Sequence, residues 1–189
     1  MAQEIEVKFP LRDRNELTRK LRDIGAERLY PETFEDNIVL DRRGELRTKG
    51  ALLRVRKFGK YAIATYKGPM SIDSGVKSRE EVQTGVESFE LAIELFDSLG
   101  FKPVFRYQKY REVWRLRGAE VVIDRTPIGD YFEIEGSVDL IRDIAAQLGM
   151  NMDHAIRQTY ADLYRLARRT RGDLPEHMVF PADQISRNE

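Results

Sequence analysis

Alternation dominates the hydrophobic pattern of this chain. In "AQEIEVKFP" (residues 2–10), Ile5, Val7 and Phe9 alternate with Glu4, Glu6 and Lys8, which predicts a strand with one apolar and one charged face. Further segments of strand character fall at about 27–41, 51–58, 60–67, 77–87, 102–117, 119–126 and 130–136, separated by Gly, Pro or charged turns. Between them the period lengthens to that of a helix. Asp13 and Glu16 stand at capping-box spacing before Leu17, Leu21 and Ile24, and Gly25 provides the stop. A second helix is predicted from Ser88 to Gly100, with Leu91, Leu95 and Leu99 as its stripe beside Ala92 and Phe96. A third repeats that design from Ser137 to Gly149, and a fourth, polar on one side, runs from about Asp153 to Arg169.

No domain break or low-complexity run interrupts this order. We expect one domain over residues 1–170 and a tail over 171–189, polar except at Met178, Val179 and Phe180 and partly disordered. "KGPMSIDSGV" (67–76) reads as a mobile loop.

Successive strand residues point to opposite faces, so positions two apart share a side. Arg54 and Arg56 therefore point together, away from Leu53 and Val55. Lys67 shares a side with Thr65, Arg79 with Glu81, Lys109 with Arg111 and Tyr107, and Glu133 with Glu135. On any single strand this is the ordinary solvent face of an antiparallel sheet. Across the set, however, the signs segregate: acids gather on 4–6 and 124–135, bases on 54–67 and 109–111. Like charges at neighbouring same-side positions repel, so each group needs something between its members. A polyphosphate serves the bases, and a divalent cation, Mg²⁺ or Mn²⁺, serves the acids. The apolar faces need cover, which the amphipathic helices supply. The charged faces either stay open to water or line the wet interior of a closed barrel.

Composition narrows the choice. The 189 residues carry 34% charged side chains, above the roughly 25% usual for globular proteins. Yet 32 bases balance 32 acids, which argues against a nucleic-acid or membrane-surface binder. There is no cysteine, so disulfides and thiolate chemistry are excluded, and His154 and His177 are too few for a zinc centre. Charge within the first four residues and the lack of any apolar run near ~18 residues point to a soluble, cytoplasmic protein. No P-loop or Rossmann glycine motif is present. Phosphoryl transfer needs chiefly positioning and charge, which this inventory offers.

The residues also resemble a known family. "EIEVK" is similar to the ExExK signature of the CYTH superfamily, the triphosphate tunnel metalloenzymes. "LRVRK", "YKGP", "SREE", "YQKYREVW", "IDRTPIGDYFEIEG" and "TYADL" resemble its later motifs in order, over residues 2–166. The resemblance implies an α+β fold: an eight-stranded antiparallel barrel with helices outside and a tunnel for a triphosphate and Mg²⁺ or Mn²⁺. It implies metal-binding roles for Glu4, Glu6, Asp124, Glu133 and Glu135, and phosphate-binding roles for Arg54, Arg56, Lys67, Arg79, Lys109 and Arg111. Lys8 is the signature lysine, grouped with Glu6 and Arg56 at the reacting centre. Glu81, rather than Glu80, is expected in the tunnel. The family includes class IV adenylyl cyclases, which convert ATP to cyclic AMP and pyrophosphate, and hydrolases of inorganic or thiamine triphosphate. The "SREE" and "GDYFEIEG" blocks resemble the cyclase-like branch most. A non-catalytic polyphosphate or nucleotide binder would use the same residues, and a homodimer is left open.

Overall fold

Strand β1 (Ala2–Pro10) hydrogen-bonds on both sides, to β9 (Gly129–Glu135) and to β6 (Val76–Val86), and this double pairing closes the sheet. The computed structural model describes residues 2–73 and 76–185. From β9 the ring continues through β8 (Ala119–Thr126), β7 (Lys102–Leu116), β2 (Glu27–Asp41), β3 (Leu52–Phe58) and β4 (Tyr61–Lys67) back to β6. Every pairing is antiparallel, giving an eight-stranded barrel. A short strand, β5 (Ser71–Asp73), pairs with β6 outside the ring.

Alternation decides which side chains enter the barrel. Val7, Phe9, Val121, Ile123, Phe132 and Ile134 point outward and are buried under helices α1 (Arg14–Asp23) and α4 (Val138–Gln147) by Leu17, Leu21, Ile141 and Ile144. Each such side chain stabilises the fold by about 1.5–3 kcal/mol on full burial. Trp114 joins this cluster from β7. A second cluster seats α3 (Phe89–Ser98) on Leu40, Leu53 and Val55. Asp13, Ser88 and Ser137 each accept a backbone N–H at the start of a helix, as the spacing predicts. At the β7–β8 hairpin both Arg117 and Gly118 take positive φ, the conformation a tight two-residue turn demands.

Several expectations need correction. The leucines of α3 face the wrong way for a core: Leu91, Leu95 and Leu99 are exposed, whereas Phe89, Ala92, Ile93 and Phe96 meet the barrel. This helix is apolar on two sides, so periodicity alone could not choose the buried one. The fourth long helix begins late. Residues Met152–His154 form a single 3-10 turn, and Ile156 N–H donates to Lys8 O at 2.8 Å, holding the chain extended. A Thr159–Asp162 capping box then starts the last helix at Tyr160. A one-turn helix, α2 (Glu45–Thr48), escaped prediction; the last helix is therefore α5 (Tyr160–Thr170). Within the tail, Met178 and Phe180 are buried, and Gln108 N–H donates to Met178 O at 2.8 Å. It covers the part of β7 that β8 does not reach. Residues 74–75 of the expected mobile loop and 186–189 of the tail lie outside the described residues. No helix among the described residues is long and apolar enough to cross a membrane.

Candidate functional site

The barrel interior is a cavity of about 1050 Å³. Its basic wall comes from β3 and β7. Arg54 and Arg56 on one strand face Lys109 and Arg111 on the other, with Glu35 of β2 between them. Glu35 Oε1 lies 3.4 Å from Lys109 Nζ, and Oε2 lies 3.5 Å from Arg56 Nη1 and 4.0 Å from Arg111 Nε. Burial opposes the Glu35 charge, but Lys109, Arg56, Arg111 and Arg54 together outweigh it and hold the carboxyl well below its usual range. Arg54 Nη1 donates to Tyr107 OH at 3.0 Å. One carboxylate cannot satisfy this group: Arg54 Nε, Arg56 Nε and Thr65 Oγ1 are buried without a hydrogen-bond partner. Burial, and then repulsion from Arg54, pulls the Arg56 guanidinium below its normal pKa. A buried donor left unmade costs about 1–3 kcal/mol. The wall carries more buried donors than the described residues satisfy.

Next to it stands a saturated ion-pair cluster. Asp124 Oδ1 accepts from Arg111 Nε at 2.7 Å; Oδ2 accepts from Arg111 Nη2, Lys109 Nζ and Tyr160 OH at 2.6, 3.0 and 2.7 Å. Asp124 is wholly buried and does not line the cavity. Glu133 accepts from Arg111 at 2.7 Å and pairs with Lys8 at 2.8 Å. Lys8 Nζ sits 4.0 Å above the Tyr160 ring, a cation–π contact in a dry setting. These contacts fix the positions of Lys109 and Arg111, both of which line the cavity.

The acidic wall lies on β1 and β9. Cross-strand register sets Glu6 opposite Glu135 and Glu135 opposite Glu120, three like charges in a row. Lys67 bridges Glu4 and Glu81, and Lys77 Nζ reaches Glu6 at 3.2 Å. Glu135 has no ion pair or side-chain hydrogen bond among the described residues. Burial by the surrounding walls, then Glu4 and Glu6, push its carboxyl up to about 7. Among the described residues no three acids or histidines already close around a metal. Mg²⁺ needs only one or two carboxylates when phosphates and water complete its shell. Glu4, Glu6 and the unpaired Glu135 fit that requirement.

Every site residue named from the sequence lines this cavity except Asp124. Glu81, not Glu80, faces inward, and Arg79 holds the rim by donating to Gly68 O and Gly50 O. Sequence reasoning missed Glu35, Thr65, Lys77 and Tyr160. Lys77 shares parity with Arg79 and Glu81, so the alternation test could have found it. Tyr160, in the first turn of α5, belongs to a core cluster with Tyr107, Tyr164 and Met178 and also reaches the site through its hydroxyl. Arg47, Lys49, Arg165 and Arg168 add a basic rim at this mouth.

A closed antiparallel barrel with bases on one interior wall and acids on another defines the class of triphosphate tunnel folds. The CYTH domain family matches residues 2–160, and this chain belongs to it. The protein named "Putative adenylate cyclase MJ0240" from Methanocaldococcus jannaschii is 30% identical over 174 residues, 85% of this chain and 97% of that one. Among solved structures, the PH1012 protein of Pyrococcus horikoshii is similar with a TM-score of 0.72 at 29% identity, covering 85% of this chain and 98% of its own. A Hippeastrum protein, described as a "Putative adenylyl cyclase" with a dominant triphosphatase activity, shares the fold with a TM-score of 0.65 at 16% identity, covering 87% and 96%. Triphosphate tunnel enzymes of this family generally depend on a divalent metal.

Proposed function

We propose that this protein is a divalent-metal-dependent enzyme acting on a triphosphate, and that its reaction is that of a class IV adenylyl cyclase, converting ATP to cyclic AMP and pyrophosphate. The observation that carries the reading is the unpaired donor set, Arg54 Nε, Arg56 Nε and Thr65 Oγ1, buried in a barrel wall facing Lys109 and Arg111. Guanidiniums grip phosphate oxygens in pairs, and in a site screened from bulk water that grip also stabilises charge developing on a leaving pyrophosphate. Arg56 and Arg111 hold the phosphates, Lys67 and Arg79 the chain nearer the rim, and Lys8 the charge balance beside Glu133. Glu4, Glu6 and Glu135 would hold Mg²⁺ or Mn²⁺, which would supply neutralisation of phosphate charge there. Asp124 acts through Lys109 and Arg111, as their positioning residue.

Cyclisation draws support from the name of the 30%-identical relative. Hydrolysis of inorganic or thiamine triphosphate is the second reading, because the bases could recognise a phosphate chain alone and a cavity of about 1050 Å³ leaves room for an attacking water. Incubation with ATP, tripolyphosphate and thiamine triphosphate, each with Mg²⁺ or Mn²⁺, separates the two. Cyclic AMP with pyrophosphate supports the cyclase; orthophosphate without cyclic AMP replaces it with the hydrolase. Tight binding with no product makes the protein a non-catalytic triphosphate binder.

A further inference from the structure

Helix α3 carries two apolar sides and one acidic edge. Each residue turns a helix by about 100°, so Phe89, Ala92, Ile93 and Phe96 share the side that seats on Leu40, Leu53 and Val55. Leu91, Leu95 and the C-cap Leu99 form a separate row at spacings of four residues, about a third of a turn away. They are 63%, 60% and 57% exposed. Among the described residues no other helix exposes more than one large hydrophobic side chain, and that one is Leu166 of α5. A leucine exposed singly is ordinary; three in one row make a continuous apolar ridge. The barrel gains nothing from this ridge, because Leu40 and Val55 are already buried beneath the first side. Leucines repeated every four residues are the anchors of one helix laid against another.

Charge gives a second, independent pointer. Glu87, Glu90 and Glu94 are exposed, and none of them has an ion pair among the described residues. Asp97 differs, since Lys102 pairs with it at 2.7 Å. The helix itself contains no Lys or Arg. Glu90 also suits the positive end of the helix and meets the Ser88 hydroxyl at 3.2 Å, but Glu94 lies in mid-helix, beside Leu95, where the dipole gives no such reason. Two copies of α3 packed antiparallel would set this acidic edge against itself, and an anionic lipid surface would repel it. A basic helix satisfies it.

We infer that α3 is a docking face for an amphipathic helix of another protein, whose apolar side lies on Leu91, Leu95 and Leu99 and whose flanking Lys or Arg side chains meet Glu90 and Glu94. None of these residues lines the cavity, so the docked helix and a triphosphate occupy different places. The inference goes beyond the triphosphate reading and stands or falls separately from it.

The probe is a synthetic helical peptide of about 18 residues, long enough to hold a helix in water, with leucines four apart on one side and lysines along one edge. Its control carries glutamates in place of the lysines. Binding of each labelled peptide to the full chain is followed by fluorescence anisotropy. The lysine peptide is expected to bind at least about tenfold more tightly than the glutamate peptide, because like charges at an interface reject the wrong partner. Leu95→Gln is expected to weaken the lysine peptide at least about tenfold, as loss of a central anchor does. Glu90→Gln with Glu94→Gln is expected to remove most of the difference between the two peptides. These side chains are exposed, so the variants keep the parent's melting temperature and its tripolyphosphate binding. No binding of the lysine peptide, equal binding of both peptides, or binding that Leu95→Gln leaves unchanged overturns the inference. A dimer of the unaltered chain that Leu95→Gln dissociates in sedimentation also overturns it, giving the face to a second copy. Recruitment to anionic vesicles that Leu95→Gln abolishes overturns it in favour of a membrane.

Discussion

Glu35 Oε1 stands 3.4 Å from Lys109 Nζ, and Glu35 is the only acid among the described residues that contacts bases of both β3 and β7. With Glu35 wholly buried, its charge holds two strands' worth of cations together. Glu35→Gln removes that charge and leaves Arg56 and Lys109 facing each other. We expect a loss of about 3–5 kcal/mol, the cost of breaking one side of a buried ion pair, read by denaturant unfolding. Tripolyphosphate should restore more stability to this variant than to the parent, because it replaces the missing anion. An equal gain in both proteins would contradict the shared-anion account.

The same residue sets an acid limit. Its folded pKa is depressed below the usual 4.5, so unfolding takes up a proton once the pH falls below about 4.5. Stability from Glu35 is therefore full above that pH and declines toward its lower folded value, by about 1.4 kcal/mol per pH unit. Between pH 5 and 3, the stability gap between parent and Glu35→Gln should narrow. A constant gap, followed by urea unfolding, would rule out this assignment.

The acids of β1 make a separate prediction. Glu4→Gln together with Glu6→Gln should reduce metal-dependent turnover by at least about 100-fold, as for loss of charge stabilisation at a reacting centre. Mn²⁺ binding, followed by electron paramagnetic resonance, should weaken in parallel, while tripolyphosphate binding without metal persists on the basic wall. Full turnover in the double variant would remove the metal role of β1.

Arg56→Ala should weaken triphosphate binding by about 10–100-fold, consistent with a charged hydrogen bond of about 1.5–3 kcal/mol. Arg56→Lys should recover only part of it, since an ammonium cannot reproduce a bidentate grip. Calorimetric titration with tripolyphosphate distinguishes the two variants. Equal affinity in Lys and Ala variants would mean that geometry at Arg56 is immaterial.

Tail docking is tested by Met178→Ala. The fully buried side chain should cost about 2–5 kcal/mol, seen as a lower melting temperature. A surface-like loss below about 0.5 kcal/mol would mean that the strap does not hold β7.

Strand positions were the most legible part of this chain. Alternation in Glu4–Phe9 and in Arg54–Arg56 gave both the boundaries and the face that lines the cavity, because a strand has only two faces. Helix caps at Asp13, Ser88 and Ser137 were legible for a similarly local reason. The buried side of α3 was not, since Leu91 and Ala92 are both apolar and only the barrel's shape selects between them. Glu35 was missed because its strand bears acids on both faces, Asp36 pairing outward with Arg106 at 2.5 Å. Tyr160 depends on where α5 begins, and that depends on Ile156 bonding to Lys8, a contact 148 residues apart in sequence that no local pattern records.

Because β1 fills the seam between β6 and β9, it stays without one lateral neighbour until residue 135 has been made. A nascent chain shorter than that has an open groove, with its acids and bases bathed in water. The enclosed cavity thus forms late and all at once, when β1 meets β9 across the whole intervening chain.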